Sequence, residues 1–169
     1  MHLARIVAAA LCGACALASA QELVLTGHVK RVVQQPRGAE DCPEPCPPPA
    51  PGSRHVCVSN AGGCQTMDVE VDHVHRGAAV GGIRRFRTEI GEWGPTFGVT
   101  TARIVVVQND VENVSWSPVT ERDGKLFFDP KRIRWIGNSR TAPPDSEGLV
   151  ALDDALAHAD ADVEPRPAR

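Results

Sequence analysis

Residues 23–33 read LVLTGHVKRVV and predict the first strand of a β-sheet. Side chains of two kinds alternate along this stretch: the apolar Leu23, Leu25 and Val29, and the polar Thr26, His28 and Lys30. A period of two residues is typical of a strand that buries one face and exposes the other. Gly27 stands in the middle of the pattern and predicts a kink or bulge, a feature that bends strands around small barrels.

Short strand signals continue through most of the chain, with little helix between them. Strands are predicted over residues 66–76, 84–90, 102–110, 114–119 and 125–136. The run ARIVVVQND at 102–110 indicates a central strand covered on both faces. Asp123-Gly124 favours a hairpin turn, and Pro118 and Pro130 place their segments at edges or ends. We therefore predict an all-β fold, a small OB-like barrel or a sandwich of five to six short strands.

The C-terminal part differs in periodicity and in charge. A short helix is predicted over residues 146–158, with Ser146 as the N-cap and one apolar face formed by Leu149, Leu152 and Leu156. Residues 141–169 hold seven acids and two arginines, a local charge of −5. We therefore divide the mature chain into a β-barrel domain at 21–140 and an acidic tail with a short helix at 141–169.

The first 20 residues, MHLARIVAAALCGACALASA, have the layout of a cleavable secretory signal that ends near Ala20. Their apolar part is too short to span a bilayer, so no integral membrane segment is expected after cleavage. We predict a mature protein that begins at Gln21 and acts in the bacterial periplasm or outside the cell. The alternative is a lipoprotein modified at Cys12 or Cys15.

Four cysteines remain in the mature chain, within a Pro/Cys-rich loop predicted over residues 34–65: Cys42, Cys46, Cys57 and Cys64. An even number of cysteines in an oxidising compartment predicts two disulfides. A turn through residues 59–62 would set Cys57 opposite Cys64, which favours that bond. Cys42 would then pair with Cys46, but the prolines between them favour an extended backbone. The crossed pairings therefore stay open.

Charge and motif content argue against nucleic-acid binding and against catalysis. The formal net charge is −3, and residues 21–140 are nearly balanced, so no basic surface for nucleic acid is predicted. The chain has neither a P-loop nor a G-x-S-x-G nucleophile motif. We expect a monomeric, non-enzymatic binding module that needs no cofactor and whose partner is a protein or an anionic envelope polymer.

The alternative function is a metal-binding or metalloenzyme domain built on His73 and His75. Two histidines one residue apart on a strand point to the same face about 7 Å apart, close enough to share a metal ion. No third ligand follows locally, so His28 or His55 would have to supply it. A bulge near Asp72 would move the pair to the opposite face. The simpler interpretation is a pair of histidines at a solvated strand end.

The candidate ligand contacts are two aromatic residues and four arginines: Trp93, Phe97, Arg85, Arg87, Arg132 and Arg134. If the two strands that carry the arginines are neighbours, four guanidinium groups would form a patch for phosphate, sulfate or carboxylate. The simpler interpretation is that these arginines are the solvent-facing residues of ordinary strands. The aromatic pair lies in a Gly/Pro-rich loop of the kind that often carries recognition, although both rings would also serve to close a barrel end.

The order of the strands resembles the OB-type barrel of the tissue inhibitors of metalloproteinases and netrin-like domains. The resembling stretches cover about 90 mature residues: VLTGHV (24–29), VDHVHRG (71–77), RFRTEI (85–90) and IVVVQN (104–109). The resemblance implies a barrel. It does not imply protease inhibition, because those inhibitors open with a zinc-chelating Cys-x-Cys and this mature chain opens with Gln21-Glu22-Leu23.

Overall fold

A seven-stranded antiparallel sheet and one short helix form the frame of the protein. The computed structural model describes residues 22–40, 42, 52, 62–79, 81–90, 96–110 and 113–162. Its elements are β1 (Leu23–Gln35), β2 (Cys64–Arg76), β3 (Gly82–Glu89), β4 (Arg103–Gln108), β5 (Val114–Arg122), β6 (Lys125–Phe128), β7 (Trp135–Ile136), β8 (Ser139–Arg140), β9 (Val150–Ala151) and α1 (Leu152–Ala161). The predicted all-β class with a short C-terminal helix is therefore confirmed.

The strand order in the large sheet is β3-β2-β1-β4-β5-β6-β9, and β7 and β8 form a separate two-stranded hairpin. Strands β3 and β5, the first and fifth of that order, contact each other, which shows that these five strands curl. Within the described residues no ladder joins these two strands, so the sheet is not a closed barrel there.

No helix in the described part of the chain is long and apolar enough to cross a bilayer.

The curled part of the sheet is covered by apolar side chains on both faces. The first core lies inside the curl and consists of Leu23, Leu25, Met67, Val69, Phe86, Phe97, Ile104, Val106, Val114 and Trp116. The second core lies on the other face, beneath α1 and the β7–β8 hairpin, and consists of Val24, Val105, Val107, Phe128, Ile133, Ile136, Val150, Leu152, Ala155 and Ala159. Strand β4 contributes alternate valines to both cores, as its unbroken apolar run predicted.

Strand β1 departs from the prediction of one buried and one exposed face. Leu23 and Leu25 enter the first core, while Val24 enters the second. Thr26, predicted on a polar face, is fully buried. The prediction was wrong for this half of the strand because residues from the C-terminal part of the chain cover the second face.

The predicted kink at Gly27 is confirmed. The pairing of β1 with β2 shifts register between Thr26 and Gly27. A Cβ atom at Gly27 would lie 2.2 Å from the carbonyl oxygen of Glu70. Because real Cβ atoms do not approach backbone oxygens so closely, only glycine fits here without a backbone movement.

The same register shift settles the face on which the histidines of β2 lie. Thr26 pairs with His73 and Gly27 pairs with Val71, which leaves Asp72 as an extra residue in β2. Val71 and Val74 then both pack against the first core. The bulge near Asp72 therefore occurs, and the histidines face away from the first core.

Two predicted element boundaries were wrong. The helix begins at Leu152, and its N-cap is Ala151 without a side-chain hydrogen bond, so Ser146 is not the cap. Residues Val150–Ala151 pair with β6 instead of starting the helix. The strand predicted over 125–136 ends at Phe128, because a turn follows at Pro130. The hairpin turn at Asp123-Gly124 is confirmed, with positive φ at both residues.

Arg76 fastens the helix to the sheet. Its guanidinium donates to the carboxylate of Glu22 at 2.9 Å and to the carbonyl oxygen of Leu156 at 3.1 Å, and it also pairs with Asp160. One cation thus joins the last residue of β2, the start of β1 and the end of α1. Arg76 therefore holds α1 against the sheet.

The predicted Cys57–Cys64 bond was wrong, because Cys64 is bonded to Cys42, with 5.4 Å between the two Cα atoms. Cys64 begins β2 and pairs with Gln35 at the end of β1. The chain then turns back, so that the backbone N–H of Cys42 donates to the carbonyl oxygen of Ala39 at 2.9 Å. This turn brings Cys42 beside the strand end. Cys46 and Cys57 lie outside the described residues.

Candidate functional site

A cleft of about 700 Å³ opens between the turn that follows β6 and the loop that leads into β9. Its lining comes from two segments, residues 129–134 and 140–149. The volume falls in the range of about 300–1,000 Å³ that is typical of small-ligand sites.

Asp129 orders the first wall of the cleft. Its carboxylate accepts a hydrogen bond from the backbone N–H of Lys131 at 2.8 Å, and its carbonyl oxygen accepts one from the N–H of Arg132 at 3.0 Å. Ile133 is fully buried in the second core. The turn is therefore anchored by one apolar side chain, while its charged neighbours remain at the surface.

Asp145 orders the second wall in the same way. Its carboxylate accepts hydrogen bonds from the backbone N–H groups of Glu147 and Leu149, both at 2.9 Å. These hydrogen bonds, that of Leu149 first, hold the pKa of the Asp145 carboxyl below its ordinary value. In each wall of the cleft, an aspartate carboxylate therefore accepts hydrogen bonds from backbone N–H groups of its own loop.

The cleft carries a surplus of positive charge. Three cationic side chains line it: Lys131, Arg134 and Arg140. None of them forms an ion pair with a carboxylate of the described residues. The two acids in the lining are already engaged, since Glu147 pairs with Arg122 at 2.5 Å and Asp129 binds its own turn.

The predicted patch of four arginines does not form as a pair of neighbouring strands. Arg85 lies on β3, which in the described residues pairs only with β2, and its guanidinium binds the carboxylate of Asp68 at 2.7 Å. Arg132 lies in the turn after β6, with its guanidinium 5.4 Å from the centre of the Trp116 ring. Of the predicted arginines, only Arg134 reaches the cleft. Arg87 is an exposed residue of β3.

Of the two aromatic contacts predicted in residues 91–98, Phe97 can be compared with the structure and Trp93 cannot. Phe97 is only 3% exposed and belongs to the first core, as the core alternative expected. Its backbone N–H donates to the side-chain oxygen of Gln65 at 2.6 Å, and its carbonyl oxygen accepts from the Gln65 amide at 2.7 Å. Gln65 therefore fixes the backbone of Phe97 to the sheet. Trp93 lies outside the described residues.

A second polar cluster surrounds the buried hydroxyl of Thr26. The guanidinium of Arg103 donates to this hydroxyl at 3.1 Å, and Nε2 of His75 lies 3.2 Å from it. Arg103 also donates to Asp72 at 3.0 Å, and His28 lies 3.5 Å from the same carboxylate. The register shift at Gly27 thus gathers polar groups from three strands.

His73 and His75 are brought together, with 4.6 Å between their ring centres. Burial, and then the neighbouring His73, hold the pKa of His75 below its ordinary value of 6.5. The described residues contain no group of three side chains placed to hold a metal ion. His28 contacts Asp72 instead of joining the pair, and His55 lies outside the described part of the chain.

Sequence reasoning missed three important residues: Lys131, Arg140 and Gln65. Lys131 follows an Asp-Pro turn signal, which indicates a surface position but not a cleft. Arg140 and Gln65 carry no local signal, since their roles depend on segments distant in the chain. No family model, curated protein or solved structure matches this chain, so the function must be inferred from the geometry of the site itself.

Proposed function

We propose that this protein is an exported binding module, without catalytic activity of its own, that holds an anionic ligand in the cleft lined by Lys131, Arg134 and Arg140. The observation that carries the proposal is the presence of three cations without an ion-pair partner in the described residues, beside two acids that are already engaged. Arginine and lysine placed in this way suit carboxylate, sulfate or phosphate groups.

Export to the periplasm or beyond is supported by the signal-like residues 1–20 and by the Cys42–Cys64 bond, because disulfides persist in oxidising compartments. The mature N-terminus is then Gln21, which the intact mass of the exported protein tests directly. The ligand would be an anionic component of the envelope or an acidic protein segment.

The proposed architecture is a partly open, OB-like barrel. The order β3-β2-β1-β4-β5, with β3 in contact with β5, supports a five-stranded barrel in which the ladder between β3 and β5 is missing among the described residues. The resemblance to the barrel of tissue inhibitors of metalloproteinases and netrin-like domains, which rests on the four sequence stretches, belongs to this proposal. The cleft lies beyond β6, in a part of the chain that follows the five strands.

The test is a binding titration with three anionic probes: hexaglutamate, a galacturonic-acid tetrasaccharide and inorganic sulfate. The triple variant Lys131→Gln/Arg134→Gln/Arg140→Gln should weaken binding of the best probe about tenfold, since each exposed ionic contact contributes a few tenths to 1 kcal/mol. Raising the salt concentration should weaken the wild type more than the variant.

A matched control lowers the net charge by the same three units at exposed sites elsewhere: Lys30→Gln/Arg31→Gln/Lys125→Gln. This control should keep affinity within about twofold of the wild type if the cleft, and not the overall charge, determines binding. Equal losses in both triple variants would contradict the proposal.

A metal-binding or metalloenzyme domain at His73 and His75 is the alternative, and it rests on the closeness of the two rings. Elemental analysis of protein purified without added metal tests it. One equivalent of zinc, copper or iron that is lost in His73→Ala/His75→Ala would favour this alternative over the binding module.

A further inference from the structure

Trp135 is an exposed aromatic ring on a well-supported backbone. It is 49% exposed, whereas its neighbour Ile136 is 1% exposed and packs in the second core. The side-chain oxygen of Asn109 accepts from the backbone N–H of Gly137 at 2.7 Å, and its amide donates to the carbonyl oxygen of Trp135 at 3.4 Å. Asn109 therefore holds the β7–β8 hairpin in place, and the indole of this hairpin is exposed to solvent.

Trp135 lies beside one of the cations that line the cleft. Trp135 pairs directly with Arg140 in the β7–β8 ladder. Directly opposed residues of an antiparallel pair project to the same face, with Cβ atoms about 5 Å apart. Because Arg140 lines the cleft, a ligand that binds its guanidinium would have the indole of Trp135 within reach on the same face.

We propose, on the basis of the function proposed above, that the ligand is an acidic glycan whose pyranose ring stacks on Trp135 while its carboxylate or sulfate groups bind Lys131, Arg134 and Arg140. The face of an indole is electron-rich and the C–H groups of a sugar ring carry partial positive charge, so the two surfaces attract each other. Arginine can bind a carboxylate or a sulfate through two parallel hydrogen bonds.

Other polyanions match this surface less well. An acidic peptide would use the three cations but would leave the indole without a partner. A single-stranded nucleic acid has bases that stack, yet binding of that kind relies on a long basic groove with successive aromatic residues. In the described residues the cleft has three cations and one neighbouring exposed indole, which do not form a groove of that kind.

The experiment uses the mature protein and measures affinity by calorimetry for four probes: a galacturonic-acid tetrasaccharide, a heparin-derived tetrasaccharide, hexaglutamate and oligo(dT). Trp135→Ala should weaken binding of the better tetrasaccharide about tenfold, the size expected when an aromatic stacking partner is removed. Trp135→Phe should recover most of that loss, and Val99→Ala, at an apolar side chain that is even more exposed than Trp135, should have no effect. Comparison of the two tetrasaccharides distinguishes carboxylate from sulfate as the preferred group.

The outcomes separate this inference from the proposed function. If the cleft triple variant weakens tetrasaccharide binding and Trp135→Ala does not, the stacking inference is overturned and the anionic cleft stands. Tighter binding of hexaglutamate or oligo(dT) than of either tetrasaccharide overturns the glycan assignment. If the wild type binds none of the probes, or if the triple variant changes nothing, both proposals are overturned. Because Trp135 is exposed, the thermal midpoints of its variants should match the wild type, which checks that they fold.

Discussion

The Cys42–Cys64 disulfide joins residues 22 positions apart, and this separation allows its effect on stability to be calculated. A cross-link removes conformations from the unfolded chain, and for a loop of this length the loss amounts to about 3 kcal/mol of stabilisation. Both cysteines are buried, at 1% and 3% exposed. Replacement of both by alanine keeps small apolar side chains at these sites, so the lost cross-link should dominate the change.

Urea denaturation of the mature protein measures this difference. Under non-reducing conditions, Cys42→Ala/Cys64→Ala should have a free energy of unfolding about 3 kcal/mol below that of the wild type. In dithiothreitol the two proteins should agree within about 1 kcal/mol, because neither then has the cross-link. A loss that persists unchanged in the reduced proteins would mean that side-chain packing, and not the disulfide, is responsible.

A non-reducing tryptic map checks the connectivity itself. Trypsin is expected to release residues 38–54, which contain Cys42 and Cys46, and residues 55–76, which contain Cys57 and Cys64. A Cys42–Cys64 bond holds these two peptides together until reduction, and fragmentation of the linked pair should locate the bond. Two separate peptides, each with an internal disulfide, would refute the pairing seen in the structure.

Three further predictions concern the sheet. Gln65→Leu should lower the free energy of unfolding by about 3 kcal/mol, since it leaves the buried backbone groups of Phe97 without partners; a loss below 1 kcal/mol in urea would contradict this. Gly27→Ala should cost about 2 kcal/mol or more, because its Cβ would meet the carbonyl oxygen of Glu70, and unchanged stability would show that the bulge is flexible. The pKa of His75 is lowered in the folded state, so its contribution to stability is present above pH 6.5 and is lost as the pH falls through the folded-state pKa. Thermal melts between pH 8 and pH 5 should therefore show a smaller loss of stability in His75→Gln than in the wild type, and equal losses would refute this role.

The physical basis of the last prediction is first the burial of His75 and then the neighbouring His73, since both disfavour the protonated ring. The Thr26 hydroxyl accepts from Arg103, so its own proton is available to an unprotonated Nε2 of His75. A proton on that nitrogen would remove its ability to accept this hydrogen bond and would place a second cation beside Arg103. This arrangement therefore favours the neutral imidazole.

Strand periodicity was sufficient to predict most of the sheet. The alternation in residues 66–76 and the valine run at 102–110 are local patterns, and both became strands close to the predicted bounds. The kink at Gly27 and the turn at Asp123-Gly124 were also predictable, because each depends on the backbone freedom of a glycine within a few residues. The helix was predicted in the right region but with the wrong start, since the pairing of Val150–Ala151 with β6 took precedence over a local capping signal.

The sequence by itself determined the all-β class, the positions of most of the long strands and the kink at Gly27, because these follow from side-chain period and from glycine within a single segment. Only the tertiary structure decided which cysteine pairs with Cys64, which face of β1 is covered and which cations meet in the cleft. Each of these depends on distances between segments far apart in the chain. Arg134 and Arg140 become neighbours of Leu149 only because Ile133, Ile136 and Val150 are buried in one core, and the burial of those side chains is a property of the folded chain as a whole.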